Sequence, residues 1–190
     1  MRAFIAIELT QEIKDVLGRL QAKLKTVGAD VKWVEPKNIH LTLKFLGEID
    51  EQTQNLITDK LEEISNAQKE FVISISSCGA FPNTNSPRVI WAGIEQGDQE
   101  IRTIANSIET QLESMGIPKE TREFSSHITL GRARSSQNRQ ELAKTLSQLI
   151  LKPLKGQFPA SKITLFKSTL TPHGPIYEVL KEFPLLNLNH

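Results

Sequence analysis

Apolar and polar positions divide the chain into short strands and amphipathic helices. Ala3 to Leu9 is an apolar run rich in Ile and Phe, which predicts a buried strand. Thr10 follows as a helix cap. Ile13, Val16, Leu17, Leu20 and Leu24 then recur at the spacing of one helical face, and Gly28 is a natural stop. Val31 to Val34 predicts a short strand closed by Pro36. Asn38 to Phe45 alternates strictly. The alternation sends Ile39, Leu41, Leu43 and Phe45 to one face and Asn38, His40, Thr42 and Lys44 to the other. A second helix is expected from Glu51 to about Asn66, with Leu56, Ile57, Leu61 and Ile64 inward. Strands follow over Phe71 to Ser76 and Arg88 to Ile94, separated by the turn formers Pro82 to Pro87.

A third helix fits Gln99 to Met115, with Ile101, Ile104, Ala105, Ile108 and Leu112 on one stripe and Gly116 and Pro118 at its end. Ser126 to Arg132 alternates again, with Ile128 and Leu130 on one face and His127 and Thr129 on the other. A fourth helix covers about Asn138 to Leu151. Strands over Lys162 to Leu170 and Ile176 to Leu180, joined through Thr171 to Pro175, close the chain. Each half thus runs helix, His-x-Thr strand, helix, strand, turn-rich loop, strand, and His40 and His127 stand 87 positions apart. A duplicated unit packed about a pseudo-twofold axis would bring the two histidines to opposite walls of one cleft.

Composition narrows the function classes. The 190 residues are 38% hydrophobic and 24% charged, which excludes a disordered tail or a collagen-like chain. No apolar run approaches the roughly 20 residues of a membrane-crossing helix. The net charge of +1 leaves no broad excess for gripping long nucleic acid, although a local anion site remains open. The single cysteine, Cys78, cannot close an intrachain disulfide and points to a reducing compartment. The short N-terminal run is acidic by Glu8 and does not fit a secretory signal. A soluble, cytoplasmic, monomeric protein is the expectation.

The paired His-x-Thr strands carry the candidate chemistry. Residues i and i+2 project to the same side of a strand, so each imidazole stands beside a hydroxyl while the leucines and isoleucine anchor the strand. Imidazole titrates near neutrality. One ring can accept a proton while the other donates one, and two hydroxyls can hold phosphoryl oxygens. That set suits in-line displacement at phosphorus without a metal, and no familiar zinc spacing accompanies the four histidines. One such pair on the polar face of a strand would need no explanation; two in matching places of a repeat do. Other residues are weaker candidates. His173 lies in a Pro/Gly turn and His190 is terminal. Cys78, Trp33 and Trp91 suit packing. Phe124 suits either the core or a substrate. Arg122, Arg132, Arg134, Arg139 and Lys119 cluster near the second motif. Arg122 and Arg132 are candidates to face a phosphate. Alternation alone turns Arg132 away from His127 unless the strand bulges at Gly131.

Arg2 to Ile7, Val31 to Gly47, Pro87 to Gly93, Phe124 to Arg132 and Ser168 to Tyr177 together resemble the 2H phosphoesterase superfamily, specifically the RNA 2′,3′-cyclic phosphodiesterases, also called 2′–5′ RNA ligases. The resemblance implies a bilobal α+β fold, with two pseudo-symmetric lobes, each an antiparallel sheet with flanking helices, around an active-site cleft. It implies hydrolysis of RNA 2′,3′-cyclic phosphate ends to 2′-phosphomonoesters. His40 is then the proton donor, His127 the proton acceptor, and Thr42 and Thr129 the phosphate-holding hydroxyls. No cofactor is implied. The partner is an RNA or oligonucleotide with a cyclic phosphate end, with tRNA halves and reversible 2′–5′ joining as further expectations. Ser126 stands where many members carry Pro. A phosphodiesterase for a small cyclic phosphate or nucleotide, and a non-catalytic nucleotide- or RNA-binding module, remain as alternatives.

Overall fold

β1 (Arg2–Glu8) is the strand that the first apolar run predicts, and it forms the interior of one of two antiparallel sheets. The computed structural model describes residues 1–152 and 154–187. Along them follow α1 (Gln11–Lys25), β2 (Val31–Trp33), β3 (His40–Glu48), α2 (Glu51–Ser65), β4 (Phe71–Phe81), β5 (Val89–Ile94) and α3 (Asp98–Glu113). The rest of the chain forms β6 (His127–Ala133), α4 (Arg139–Ile150), β7 (Gln157–Ala160), β8 (Lys162–Thr171) and β9 (Gly174–Pro184). One sheet has the order β3-β1-β8-β9 and the other β2-β6-β5-β4-β7. Together with the four helices they make a bilobal α+β fold.

The helices form where the apolar stripes place them. Asp50 caps α2 by accepting from the Thr53 amide at 2.8 Å. All five residues of the α3 stripe are buried. Leu56 is the exception in α2. It is 48% exposed because Ile57, Leu61 and Ile64 already fill the inward stripe one residue away. The strands differ more from expectation. β4 runs on to Phe81 and β9 to Pro184, and the four-residue β7, which carries Pro159, is too short to show a periodicity. The main core joins both lobes, from Ile5 and Leu41 of one sheet to Ile128 and Ile90 of the other. A second, smaller cluster of Phe4, Ala6 and Phe166, with Tyr177 against it, lies on the other face of the first sheet.

Two bulges set the geometry of the site. In the β1–β3 ladder Ile5 faces Lys44 and Ala6 faces Thr42, so Leu43 is an extra residue. In the β5–β6 ladder Ile90 faces Gly131 and Trp91 faces Thr129, so Leu130 is an extra residue. These are the same place in the two His-x-Thr strands. A bulge shifts the alternation by one, and both strands show it: buried residues stand at Leu43 and Lys44, and again at Leu130 and Gly131. Phe45 therefore turns outward at 56% exposure, against the expectation that it enters the core, and Lys44 turns inward. The Lys44 ammonium, 1% exposed, meets both carboxylate oxygens of Glu109 on α3 at 2.8 Å and the Pro118 carbonyl at 3.0 Å. In β6 the shift brings Arg132 to the face that carries His127 and Thr129.

Candidate active site

His40 and His127 open their respective strands, and both are half-buried. A carbonyl two residues upstream orients each ring. His40 Nδ1–H donates to the Asn38 carbonyl at 2.7 Å, and His127 Nδ1–H donates to the Ser125 carbonyl at 2.7 Å. A carbonyl can only accept, so Nδ1 carries the hydrogen and Nε2 of each ring is left for proton transfer. The first link is fastened across the molecule: Asn38 Nδ2 donates to the Pro175 carbonyl at 3.0 Å at the start of β9.

The surroundings of the rings are aromatic. Phe4 stacks on His40 at 4.7 Å between centroids, and Tyr177 meets its edge at 5.3 Å. Phe81 stands edge-on to His127 at 5.1 Å and packs against Trp91 at 5.3 Å. The Trp91 ring lies over Gly79, where a Cβ would come within 2.4 Å of it, so glycine is required there. Burial holds both imidazoles below the ordinary histidine range. The upstream carbonyls pull them back up, and a cation lowers each further: Lys14 for His40 and Arg132 for His127. Burial likewise pushes the Tyr177 hydroxyl up, against the pull of Arg2 and Arg132, so it stays a phenol.

β3 and β6 lie against each other across the lobes. Beside them opens a cleft of about 700 Å³. Phe4, Asn38 and Tyr177 line it from the His40 side, and Arg132 lines it from the His127 side. Arg132 acts electrostatically on both His127 and Tyr177, whereas His40, Thr42, His127 and Thr129 stand beside the cleft and are not among its lining residues. Thr42 and Thr129 are half-buried on the same strand faces as their histidines. The arrangement offers two proton-transfer nitrogens, two hydroxyls and a guanidinium.

The family description "LigT like Phosphoesterase" matches residues 7–91 and again residues 93–177. The chain belongs to this LigT-like phosphoesterase family. Among relatives, a protein named RNA 2′,3′-cyclic phosphodiesterase from Methanocaldococcus jannaschii is 39% identical over 187 residues, covering 96% of this chain and all of that protein. One of the same name from Aquifex aeolicus is 36% identical over 97% of each chain. Of solved structures, TT0787 of Thermus thermophilus superposes with a TM-score of 0.82 at 26% identity, over 99% of this chain and 100% of that one. LigT of E. coli complexed with 3′-AMP superposes with a TM-score of 0.77 at 26% identity over 97% of each.

Within this LigT-like phosphoesterase the remaining candidates separate. Arg132 lines the cleft, whereas Arg122 is exposed in the segment before β6 and is not among the lining residues. Phe124 packs against the main core, and its carbonyl accepts from Arg102 at 2.8 Å. Arg134 and His173 line the cleft, while Lys119 pairs with Glu113 at 2.7 Å and Arg139 reaches the Ser135 carbonyl. Trp33 packs over Gly131 and also lines the cleft, while Cys78 is buried as a packing residue. His190 lies outside the described residues. Phe4, Phe45, Lys32 and Tyr177 are cleft residues that the hydrophobic pattern does not single out. Phe45 carries no signal of its own, because Asn38 to Phe45 alternates strictly and the bulge that inverts the strand leaves no break in the pattern. The orienting carbonyls of Asn38 and Ser125 leave no mark in a sequence.

Proposed function

We propose that this phosphoesterase hydrolyses RNA 2′,3′-cyclic phosphate ends to 2′-phosphomonoesters by acid–base catalysis between two histidines. The observation that carries this reading is the matched pair of imidazoles, each with Nδ1 tied to a carbonyl and Nε2 left to act. The RNA 2′,3′-cyclic phosphodiesterase names of the relatives support the substrate, and so does the 3′-AMP held by the E. coli relative.

His127 Nε2 takes a proton from water as its oxygen attacks phosphorus. The bond from phosphorus to O3′ breaks, and His40 Nε2 gives its proton to that oxygen. The phosphate stays on O2′, and the two rings regain their starting states by exchange with solvent. Thr42 and Thr129 hydroxyls donate to the non-bridging oxygens, and Arg132 offsets the charge that builds on them. The resemblance, not the near-symmetry of the site, assigns acid and base. Burial leaves both rings neutral in the free protein. The anionic phosphate then raises the proton affinity of the acid as it binds. With a 5′-hydroxyl in place of water, the same displacement, with P–O3′ breaking and His40 protonating O3′, joins two RNA ends through a 2′–5′ link without a nucleotide cofactor.

The single chain is one bilobal unit built by duplication in this reading. The tandem family matches and the bulge shared by β3 and β6 support it.

An RNA ending in a 2′,3′-cyclic phosphate tests the assignment. Its product should carry phosphate on the 2′ oxygen only, in the presence or absence of EDTA. Substitution of either histidine by Ala should lower kcat by at least about 10²-fold with the fold retained. Near-normal turnover by both variants, or a 3′-phosphate product, overturns the mechanism.

A further inference from the structure

The cleft beside the histidines carries a local excess of positive charge. The net charge of the chain is only +1, yet Arg2, Lys32, Arg132 and Arg134 all line this one space. Among the described residues none of the four forms an ion pair with a carboxylate. Glu35, the one carboxylate in the lining, is engaged by Lys37 at 3.0 Å. Lys32 and Arg132 are direct cross-strand partners on β2 and β6, and both are exposed. Like charges so placed repel and cost stability. Uncompensated cations around a shared space are a site for several negative charges, more than one terminal phosphate supplies.

The facing wall is aromatic. The bulge at Leu43 turns Phe45 out of the core into the cleft. Its ring tilts against Phe4 at 6.2 Å, and Phe4 in turn stacks on His40. An exposed ring thus leads, through one further ring, to the acid–base centre. Lys32, Arg132 and Arg134 on the β2–β6 side and a free aromatic face on the β1–β3 side, where Arg2 adds a further cation, are the two parts of a groove for single-stranded nucleic acid.

We propose that the cleft holds the single-stranded RNA just upstream of the terminal cyclic phosphate. Phe45 stacks on a base, and Lys32 and Arg134 meet upstream phosphates. This assignment rests on the function proposed above and specifies its substrate as an oligonucleotide rather than a mononucleotide. A duplex does not fit the role of Phe45, because the paired bases upstream of its end are stacked on both faces and offer none to the ring.

The test compares a nucleoside 2′,3′-cyclic phosphate with a tetraribonucleotide bearing the same end, using wild type, Phe45→Ala and the double variant Lys32→Ala/Arg134→Ala. Fluorescence anisotropy of a labelled tetraribonucleotide with a 2′-phosphate end reads binding separately. Wild type should prefer the tetranucleotide by about tenfold or more in kcat/KM. Phe45→Ala should lose about tenfold of that preference, through KM. The double variant should lower the slope of log affinity against log salt by about 0.7 for each phosphate that a cation no longer neutralises. Both should leave mononucleotide turnover within about twofold of wild type, a margin small against the roughly tenfold that stacking one base contributes.

Equal use of the two substrates by wild type, equal losses on both in the variants, or equal binding of a blunt duplex overturns the proposal. If neither substrate is hydrolysed, the assigned activity fails and anisotropy alone decides the groove. Salt-dependent binding that both variants weaken upholds it, and binding that neither changes overturns it.

Discussion

Each imidazole is prepared for its task by two opposing influences, burial and an upstream carbonyl. The carbonyl fixes the tautomer, and burial keeps the proton off in the free protein. Folding therefore couples to pH with a definite sign. The unfolded chain takes up protons on these rings near pH 6.5, whereas the folded chain does so only at lower pH. Their contribution to stability is fully present above about pH 6.5 and is lost as pH falls toward the depressed values. Urea midpoints should fall between pH 7.5 and 5.5, and the double variant His40→Asn/His127→Asn should fall less. An equal fall in both proteins would place the acid sensitivity in other groups. In the proposed reaction the hydroxyls act in the transition state instead. Thr42→Val or Thr129→Val should reduce kcat/KM by about 10²-fold with little change in thermal midpoint. The histidines and threonines are legible in the sequence because strand alternation puts i and i+2 on one face. Their orienting partners are not, because a backbone carbonyl has no side chain to signal it.

A bulge at the same place in β3 and β6 decides which side chains reach the cleft. A period of two holds up to Leu43 and Leu130, then inverts. It misplaces Phe45 and Lys44 for that reason, and it allows Arg132 only on the condition of a bulge, which the structure meets. The inverted Lys44 needs a partner, and Glu109 supplies it from α3, tying the first motif strand to the segment that leads to the second. Glu109 also accepts from the Glu120 amide at 3.2 Å, so the same carboxylate holds that segment directly. Glu109→Gln leaves a buried ammonium without a counter-charge, which costs about 3–5 kcal/mol. The expected result is a large drop in urea midpoint. Replacing both partners with apolar residues of similar volume, as in Lys44→Met/Glu109→Leu, should recover much of the loss. If the double variant is as unstable as the single one, the carboxylate's bond to the Glu120 amide, and not the ion pair, is what stabilises this region.

Across the whole molecule the sequence halves and the lobes do not coincide. The order of elements and their 87-residue spacing are readable from the chain, but the partner of each strand is not, since alternation marks an inward face without naming the neighbour. The sheet that holds His40 on β3 is completed by β8 and β9 from the second half of the chain. The sheet that holds His127 on β6 is built on β4 and β5 from the first half. Phe4 pairs with Phe166, and 87 positions on Trp91 pairs with Gly79, so the exchange is the same in both directions. Neither half can close its own sheets. A fragment ending at Ile94 keeps β1 without β8 and β5 without β6, and the complementary fragment keeps β8 without β1 and β6 without β5. Each would expose strand edges and apolar faces that the intact fold covers. Expressed alone, each fragment should show no cooperative urea transition; expressed together, they should form a complex that unfolds in one transition and turns over the cyclic phosphate. A single sharp transition from either fragment by itself would mean that its strands find sufficient partners within their own half, and the exchange would then be a matter of arrangement with no part in holding the two histidines together.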